Sequence, residues 1–402
     1  MKKNCSLLLV LTSFILSCTQ TQMQYRTVLC IPVYGQSLAL GEEAERITNF
    51  DSLAAYANGR IVTENLDHNY GYFENDNLKL FAKKITKYQK RAFELSIYNM
   101  SIILADATGS DTLICIFPGG QGATAIANLS IGTKPYQQFM DNIKTAYEEA
   151  TDHGWAFTVP AICWMQGESD IVDYPETNYH QMLKQIREDM NADIKSITHQ
   201  DTDISFICYQ PNSLTRAKQF NASHYECCET YVPQTFVGLL NSDEHFWASG
   251  PTYPYNCVGE KIHIDGIGQQ SIGALAAQSV LGILRGKERF RGLIPISIES
   301  QDTTVVIHFN VPNQPLTIDT IQVRKTGNYG FSVINRQNQD IANKIIIGED
   351  SVIIQCSESP TDCHIRYAVN GEKGKSGRLH GPRGNLRDSA GNWCYQFDMF
   401  CK

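Results

Sequence analysis

An α/β three-layer sandwich built on a central parallel sheet, followed by a small all-β sandwich, is the fold that this 402-residue sequence predicts. Three observations predict it. Short, continuous apolar runs recur at residues 28–33, 112–117, 157–164 and 204–209, as strands buried on both faces require. Between them lie segments whose apolar residues return at helical spacing. Beyond about residue 285 the runs become short and closely spaced, separated by Asn, Gly, Asp and Pro turns, which is the mark of an antiparallel sandwich.

Taken in order, the chain opens with Lys2 and Lys3, the apolar run LLLVLTSFIL, and then Ser17 and Cys18. A basic start with a short apolar core is the pattern of a secretory signal, too short to span a membrane. The stretch ILSC resembles the bacterial lipobox, which implies cleavage before Cys18 and lipidation of its sulfur. On that reading residues 1–17 are a signal peptide and 18–25 a tether. The protein is then exported and meets a membrane only through its N-terminal lipid. A plain secretory signal that ends near a cysteine is the alternative.

Residues 26–285 carry the alternation of strands and helices. Tyr136, Phe139, Met140, Ile143 and Tyr147 mark one amphipathic helix, with Thr133 and Pro135 at its start; Tyr179, Met182, Leu183, Ile186 and Met190 mark another. A parallel sheet covered by helices on both faces places its site at the carboxyl ends of the strands. The charged connection RGKERFRG leads into residues 286–402, where ISIES, TVVIHF, KIIIG, SVIIQC and HIRYAV read as antiparallel strands.

Composition narrows the partners. The net charge of -8, with no basic stripe, excludes nucleic acid and favours a neutral ligand. Of 13 cysteines, Cys30, Cys115, Cys163 and Cys208 sit inside strand-like runs, where a thiol behaves as a small hydrophobe. Cys356 with Cys363, or Cys394 with Cys401, are spaced for local bridges. Closely spaced cysteines are matched by no second pair and no spaced histidines, so neither a metal nor another cofactor is expected.

Three of the strands end directly in polar motifs: YGQSLALG from residue 34, PGGQGAT at 118–124 and WMQGESD at 164–170. A fourth stretch, GEKIHIDGIGQQSIG at 259–273, precedes a helix rich in small residues that runs to about Leu284. In this order the four resemble the blocks of the SGNH hydrolase superfamily, whose fold is flavodoxin-like. The third block is similar to that of the sialate O-acetylesterase and acetylxylan esterase branch. The resemblance implies a carbohydrate O-acetylesterase with Ser37 as nucleophile and His263 as base. It also implies an oxyanion hole from the backbone at Ser37 and at Gly119, Gly120 or Gly122, with the side-chain amide of Gln166. Relatives commonly carry asparagine after the nucleophile, where this chain has Leu38.

The chemistry asks for the same residues. A serine hydroxyl is a poor nucleophile until an imidazole takes its proton, and the imidazole needs a carboxylate on its other nitrogen. Glu260 lies three residues before His263, where the superfamily usually has aspartate, and is the first expectation for that carboxylate. Glu168 of the third block is the second, and Asp265 a distant third. Gln36 is expected beside the substrate. Trp247, Tyr253 and Tyr255, in the aromatic loop before the base, suit stacking on the apolar faces of sugar rings or plain local packing. A non-catalytic glycan-binding lipoprotein and an esterase of broader acyl specificity are the alternative functions.

Overall fold

The structure, a computed structural model, describes residues 27–63, 79–80, 93–175 and 177–402. The expected signal peptide, Cys18 and the tether lie outside the described residues. The first strand line is β1 (Thr27–Cys30) continued by β2 (Val33–Gly35). Pro32 interrupts it because proline has no N–H to donate. The line still runs through: Ile31 N and Val33 N donate to Cys115 O and Phe117 O at 2.9 and 3.0 Å, and Pro32 O accepts from Cys163 N at 3.0 Å.

Next come α1 (Phe50–Ala55), β3 (Ile61–Thr63), β4 (Lys79–Leu80), α2 (Ser96–Ala107), β5 (Thr112–Cys115) and β6 (Pro118–Gly120). They are followed by α3 (Lys134–Asp152), β7 (Ala156–Thr158), β8 (Ala161–Met165), α4 (Glu168–Asp173), α5 (Tyr179–Thr198), β9 (Ser205–Gln210), α6 (Tyr231–Ser242), β10 (Phe246–Pro251) and α7 (Gly266–Leu284). Two five-stranded sheets result, ordered β4-β3-β5-β1-β7 and β10-β9-β8-β2-β6. Because β6 prolongs β5 and β8 prolongs β7, the two are halves of one sheet. All its pairings are parallel except that of β3 with the edge strand β4. Strand order reverses at β1/β2, so the carboxyl end of β2 is the switch point at which such sheets hold their ligands.

Helices cover both faces. On one, α7 meets α2 so closely that a Cβ on Gly273 would lie 2.0 Å from Ser96 O. On the other, α3, α5 and α6 lie side by side, burying the predicted Tyr136, Phe139, Met140, Ile143, Leu183, Ile186 and Met190. Thr133 occupies the N-cap position of α3, but its hydroxyl donates to Ser130 O instead of capping the helix.

The rest is antiparallel: β11 (Ile294–Gln301), β12 (Thr304–Asn310), β13 (Leu316–Ile318), β14 (Phe331–Ile334), β15 (Ala342–Ile347), β16 (Ser351–Cys356), β17 (Cys363–Tyr367), β18 (Leu386–Asp388) and β19 (Phe397–Cys401). The strands form sheets β11-β12-β16-β15, β13-β18 and β14-β17-β19. The alternate burial along β12 and β16 is the period of two that a one-sided core requires. Gln210 and Gln396 lock this part to β9, exchanging bonds of 2.8 and 2.7 Å between side chain and backbone. Cys30, Cys115, Cys163 and Cys208 are buried in the parallel sheet. No described cysteine is bridged, so the local disulfides that spacing allowed at Cys356 with Cys363 and at Cys394 with Cys401 are absent. Among the described residues no helix is long and apolar enough to cross a membrane.

Candidate active site

The first polar motif owes its shape to glycine. A Cβ on Gly35 would lie 2.0 Å from Met165 O, so only glycine lets β2 run this close to β8. Ser37 then opens a single helical turn, closed by Glu42 N to Ser37 O at 3.0 Å and Gly41 N to Leu38 O at 3.1 Å. That pair of bonds is a Schellman closure, and Gly41 takes the left-handed conformation it needs, with φ 66°. Glu43 is left-handed as well, with φ 63°, a conformation that costs a residue with a side chain roughly 1–2 kcal/mol. The consequence is a reversal of the chain. It turns the Glu43 carboxylate back toward the serine.

His263 completes the site from the loop before α7. Its Nε2 lies 2.8 Å from Ser37 Oγ, and its Nδ1 lies 2.7 Å from Glu43 Oε2. A carboxylate only accepts, so Nδ1 carries the hydrogen and Nε2 is left to accept the serine proton. Ser37 is 4% exposed, whereas the side chains of His263 and Glu43 are 16% and 43% exposed. The hydrogen bond from His263, helped by the charge of Lys261, holds the Glu43 carboxyl below its ordinary range. Glu43 therefore stays ionised while the imidazole works.

Glu43 was not among the carboxylates expected at this position, and those that were expected lie elsewhere. Glu260 faces away from His263; Lys375 Nζ reaches its Oε2 at 2.8 Å and His380 Nδ1 its other oxygen. Glu168 is 1% exposed beneath the third motif, where the Tyr209 hydroxyl donates to its Oε1 and its Oε2 has no partner among the described residues. Burial pushes its carboxyl up to about 7. Asp265 caps α7, accepting from Gly268 N at 2.8 Å. The physical reason is direction: Glu260 sits at a loop tip beside the antiparallel part, and Glu168 points into the core. A signal for Glu43 does exist in the sequence, where Gly41 is followed by two acids within one turn of the serine.

Opposite the imidazole, Ser37 N–H has no partner among the described residues, as an oxyanion donor must before substrate arrives. Gly120, with φ 111°, packs so tightly on β2 that a Cβ would fall 1.8 Å from Gly35 O. Gln121 N donates to that same carbonyl at 3.0 Å, which brings the loop with Gly122 beside the end of β2. Gly119 is consumed by packing, since a Cβ there would meet the ring of Phe139 at 2.4 Å. Gln166 departs from expectation. It is fully buried, its Nε2 donates to Thr124 O at 3.1 Å and to Asp170 Oδ2 at 2.5 Å, and its Oε1 accepts from the Tyr179 hydroxyl at 2.8 Å. Both of its amide hydrogens are spent inside the fold, so it braces the second and third motifs and offers nothing to a substrate.

The expected substrate contacts are also redirected. Gln36 is 2% exposed, and its Oε1 accepts from Gly167 N and Ser169 N at 3.4 and 3.3 Å, which caps α4. Trp247 starts β10, far from the carboxyl ends, and packs on α7, where a Cβ on Gly282 would lie 2.7 Å from its ring. Tyr253 is fully buried and donates to Cys394 O at 2.9 Å. Tyr255 packs at the start of α7, where Gly268 would touch it, and burial pushes its hydroxyl up to about 12. These aromatics are packing residues. Among the described residues no group of three His, Cys, Asp or Glu is placed to hold a metal.

Residues 81–236 match the family model described as carbohydrate esterase, sialic acid-specific acetylesterase. The matched stretch contains the second and third motifs but neither Ser37 nor His263. Among solved structures the chain is similar to XAC1771, a carbohydrate acetylesterase from Xanthomonas citri, at 14% identity and a TM-score of 0.65, covering 92% of this chain and 80% of that one. It is also similar to NanS, at 13% identity and a TM-score of 0.47, over 66% of this chain and 99% of that one. No curated protein sequence matches the chain. The family match bears out the resemblance carried by the motifs. The likeness to XAC1771 extends the shared fold over both the parallel sheet and the antiparallel part.

Proposed function

We propose that this chain, a carbohydrate acetylesterase of the serine ester hydrolase class, removes O-acetyl groups from sialic acids or related glycans through Ser37, His263 and Glu43. The observation that carries this reading is the continuous hydrogen-bonded line from Ser37 Oγ through the imidazole to Glu43 Oε2. In the first step Ser37 Oγ bonds to the acetyl carbonyl carbon while His263 Nε2 takes its proton. Negative charge on the carbonyl oxygen meets Ser37 N–H and a backbone N–H of the Gly120 to Gly122 loop; one such donor is worth on the order of 3 kcal/mol. His263 then returns the proton to the sugar oxygen as the ester bond breaks. Water repeats the cycle on the acetyl-serine, releasing acetate and restoring the hydroxyl.

The description of the family model that matches residues 81–236, sialic acid-specific acetylesterase, supports a sialic acid over the neutral sugar that net charge alone favoured. In this reading residues 26–285 form the hydrolase and 286–402 a sandwich packed on it. Cys18 carries the lipid that tethers an exported enzyme.

Acetate release from O-acetylated sialic acid and from acetylated xylan, by wild-type protein and Ser37→Ala, tests the proposal. Sialate should be the better substrate and the variant inert. Activity retained in folded Ser37→Ala would overturn the nucleophile. Binding without hydrolysis would mark a glycan-binding protein, and a preference for long acyl chains an esterase of broader scope.

A further inference from the structure

We infer that the loop at residues 372–381, in the antiparallel part, is a positioning element for His263, with Glu260 as its anchor point. This rests on the reading of His263 as the base. His263 closes a protruding loop: Val258 N donates to His263 O at 2.7 Å, Asp265 N to Asn256 O at 2.9 Å, and Cys257 bridges Ile264. At its tip Gly259 and Glu260 are both left-handed, with φ 58° and 56°. The second is a disfavoured state for a residue with a side chain; the turn bonds Glu260 N to Cys257 O at 2.9 Å and Lys261 N to Val258 O at 3.1 Å close the tip, and contacts from outside the loop hold it in place.

The outside contacts to Glu260 and to the loop's entry come from one segment far along the chain. Lys375 Nζ lies 2.8 Å from Glu260 Oε2, and His380 Nδ1 bonds the other carboxylate oxygen. Ser376 N donates to Glu260 O at 2.9 Å and Arg378 N to Tyr255 O at 3.1 Å, while Arg378 Nε reaches Asn256 Oδ1 at 2.7 Å. Gly377 lies so close that a Cβ would stand 2.9 Å from Tyr255 O and 3.0 Å from Cys257 N. The clamp is itself seated on the hydrolase, with Gly374 N donating to Thr215 O at 2.8 Å and Arg216 Nη1 to Gly374 O at 3.0 Å. The entry of the base loop and its tip are therefore gripped by side chains and by backbone. Glu260 never touches the reacting atoms. Its effect on them passes through the loop that carries the imidazole.

The test uses full-length protein with Glu260→Ala, Lys375→Ala, Lys375→Arg and Ser37→Ala. It reads kcat and KM on p-nitrophenyl acetate and the rate at which a fluorophosphonate labels Ser37, well below the melting point of each variant. Glu260→Ala and Lys375→Ala should lower kcat and the labelling rate together by on the order of tenfold to a hundredfold, as a misplaced base does. KM should change by less than about threefold, since substrate binding is untouched. Lys375→Arg should recover most of the loss by restoring the ion pair. Wild-type kcat and labelling in the two alanine variants would overturn the clamp and leave the triad standing. Undiminished activity in Ser37→Ala would instead overturn the site reading on which the clamp rests.

Discussion

Glu43 Oε2 lies 2.7 Å from His263 Nδ1, so the carboxylate that orients the base comes from the same turn that presents the nucleophile. Ser37 and Glu43 are rigidly linked by the Schellman closure between them. Only His263 arrives from elsewhere. Two of the three groups thus keep their relative positions whatever the base loop does, and the left-handed residues at 41 and 43 hold that geometry.

Gly41→Ala should break this link. The new Cβ would lie 2.2 Å from Glu94 O in a left-handed residue, so the turn must shift. Loss of more than about 1 kcal/mol in denaturant unfolding is expected. Because the shift displaces Glu43, kcat should fall further than stability alone explains. Unchanged unfolding and unchanged kcat would show that the turn tolerates a side chain.

Glu168 supplies a pH signature. Burial raises its carboxyl to about 7 in the folded protein, so between the unfolded value near 4.5 and pH 7 the unfolded chain releases a proton that the folded one keeps. Stability from this group is complete below about 4.5 and is lost as pH rises to 7, by up to roughly 3 kcal/mol. Glu168→Gln removes that slope. Melting temperatures of the two proteins should therefore diverge from pH 5 to pH 8, with the variant the more stable at pH 8. Parallel curves would place the Glu168 charge outside the core.

The parallel sheet was legible because strands buried on both faces are written as continuous apolar runs, and Ser37 and His263 because the motifs that carry them, at a strand end and before a helix, resemble blocks of the SGNH hydrolase superfamily. Glu43 was not. No periodic pattern encodes where a side chain points after a helical turn, and its direction depends on backbone conformations at 41 and 43. Gln166 has the residue type of an oxyanion donor, yet its hydrogens are claimed by Thr124 and Asp170, contacts that only the folded chain creates. The aromatic loop misled for a related reason. Tyr253 is buried by a partner 141 residues away, which local sequence cannot indicate.

Tyr253→Phe separates packing from sugar recognition. The variant leaves Cys394 O without its donor, so unfolding should cost about 1 kcal/mol less. KM for acetylated sialic acid should stay at the wild-type value. A raised KM with intact stability would return this ring to the substrate site.

Cys18→Ala addresses export. If the sulfur carries the lipid, the variant should move from the membrane fraction to the soluble fraction after cell lysis, with esterase activity following it. Wild-type protein found soluble would remove the anchor.

The acid of the triad is tested most directly by kcat and KM of Glu43→Gln on a small acetyl ester, measured beside Glu168→Gln. Glutamine keeps the size of the side chain, removes its charge and favours the wrong imidazole tautomer, a change that can cost about 10⁴-fold in kcat. Partial exposure of Glu43, at 43%, softens the loss to on the order of 10²- to 10⁴-fold, with KM little changed. Glu168→Gln should stay within about tenfold of wild type, because its carboxyl touches Tyr209 and not the imidazole. A mild Glu43→Gln alongside a crippled Glu168→Gln would contradict the assignment of Glu43.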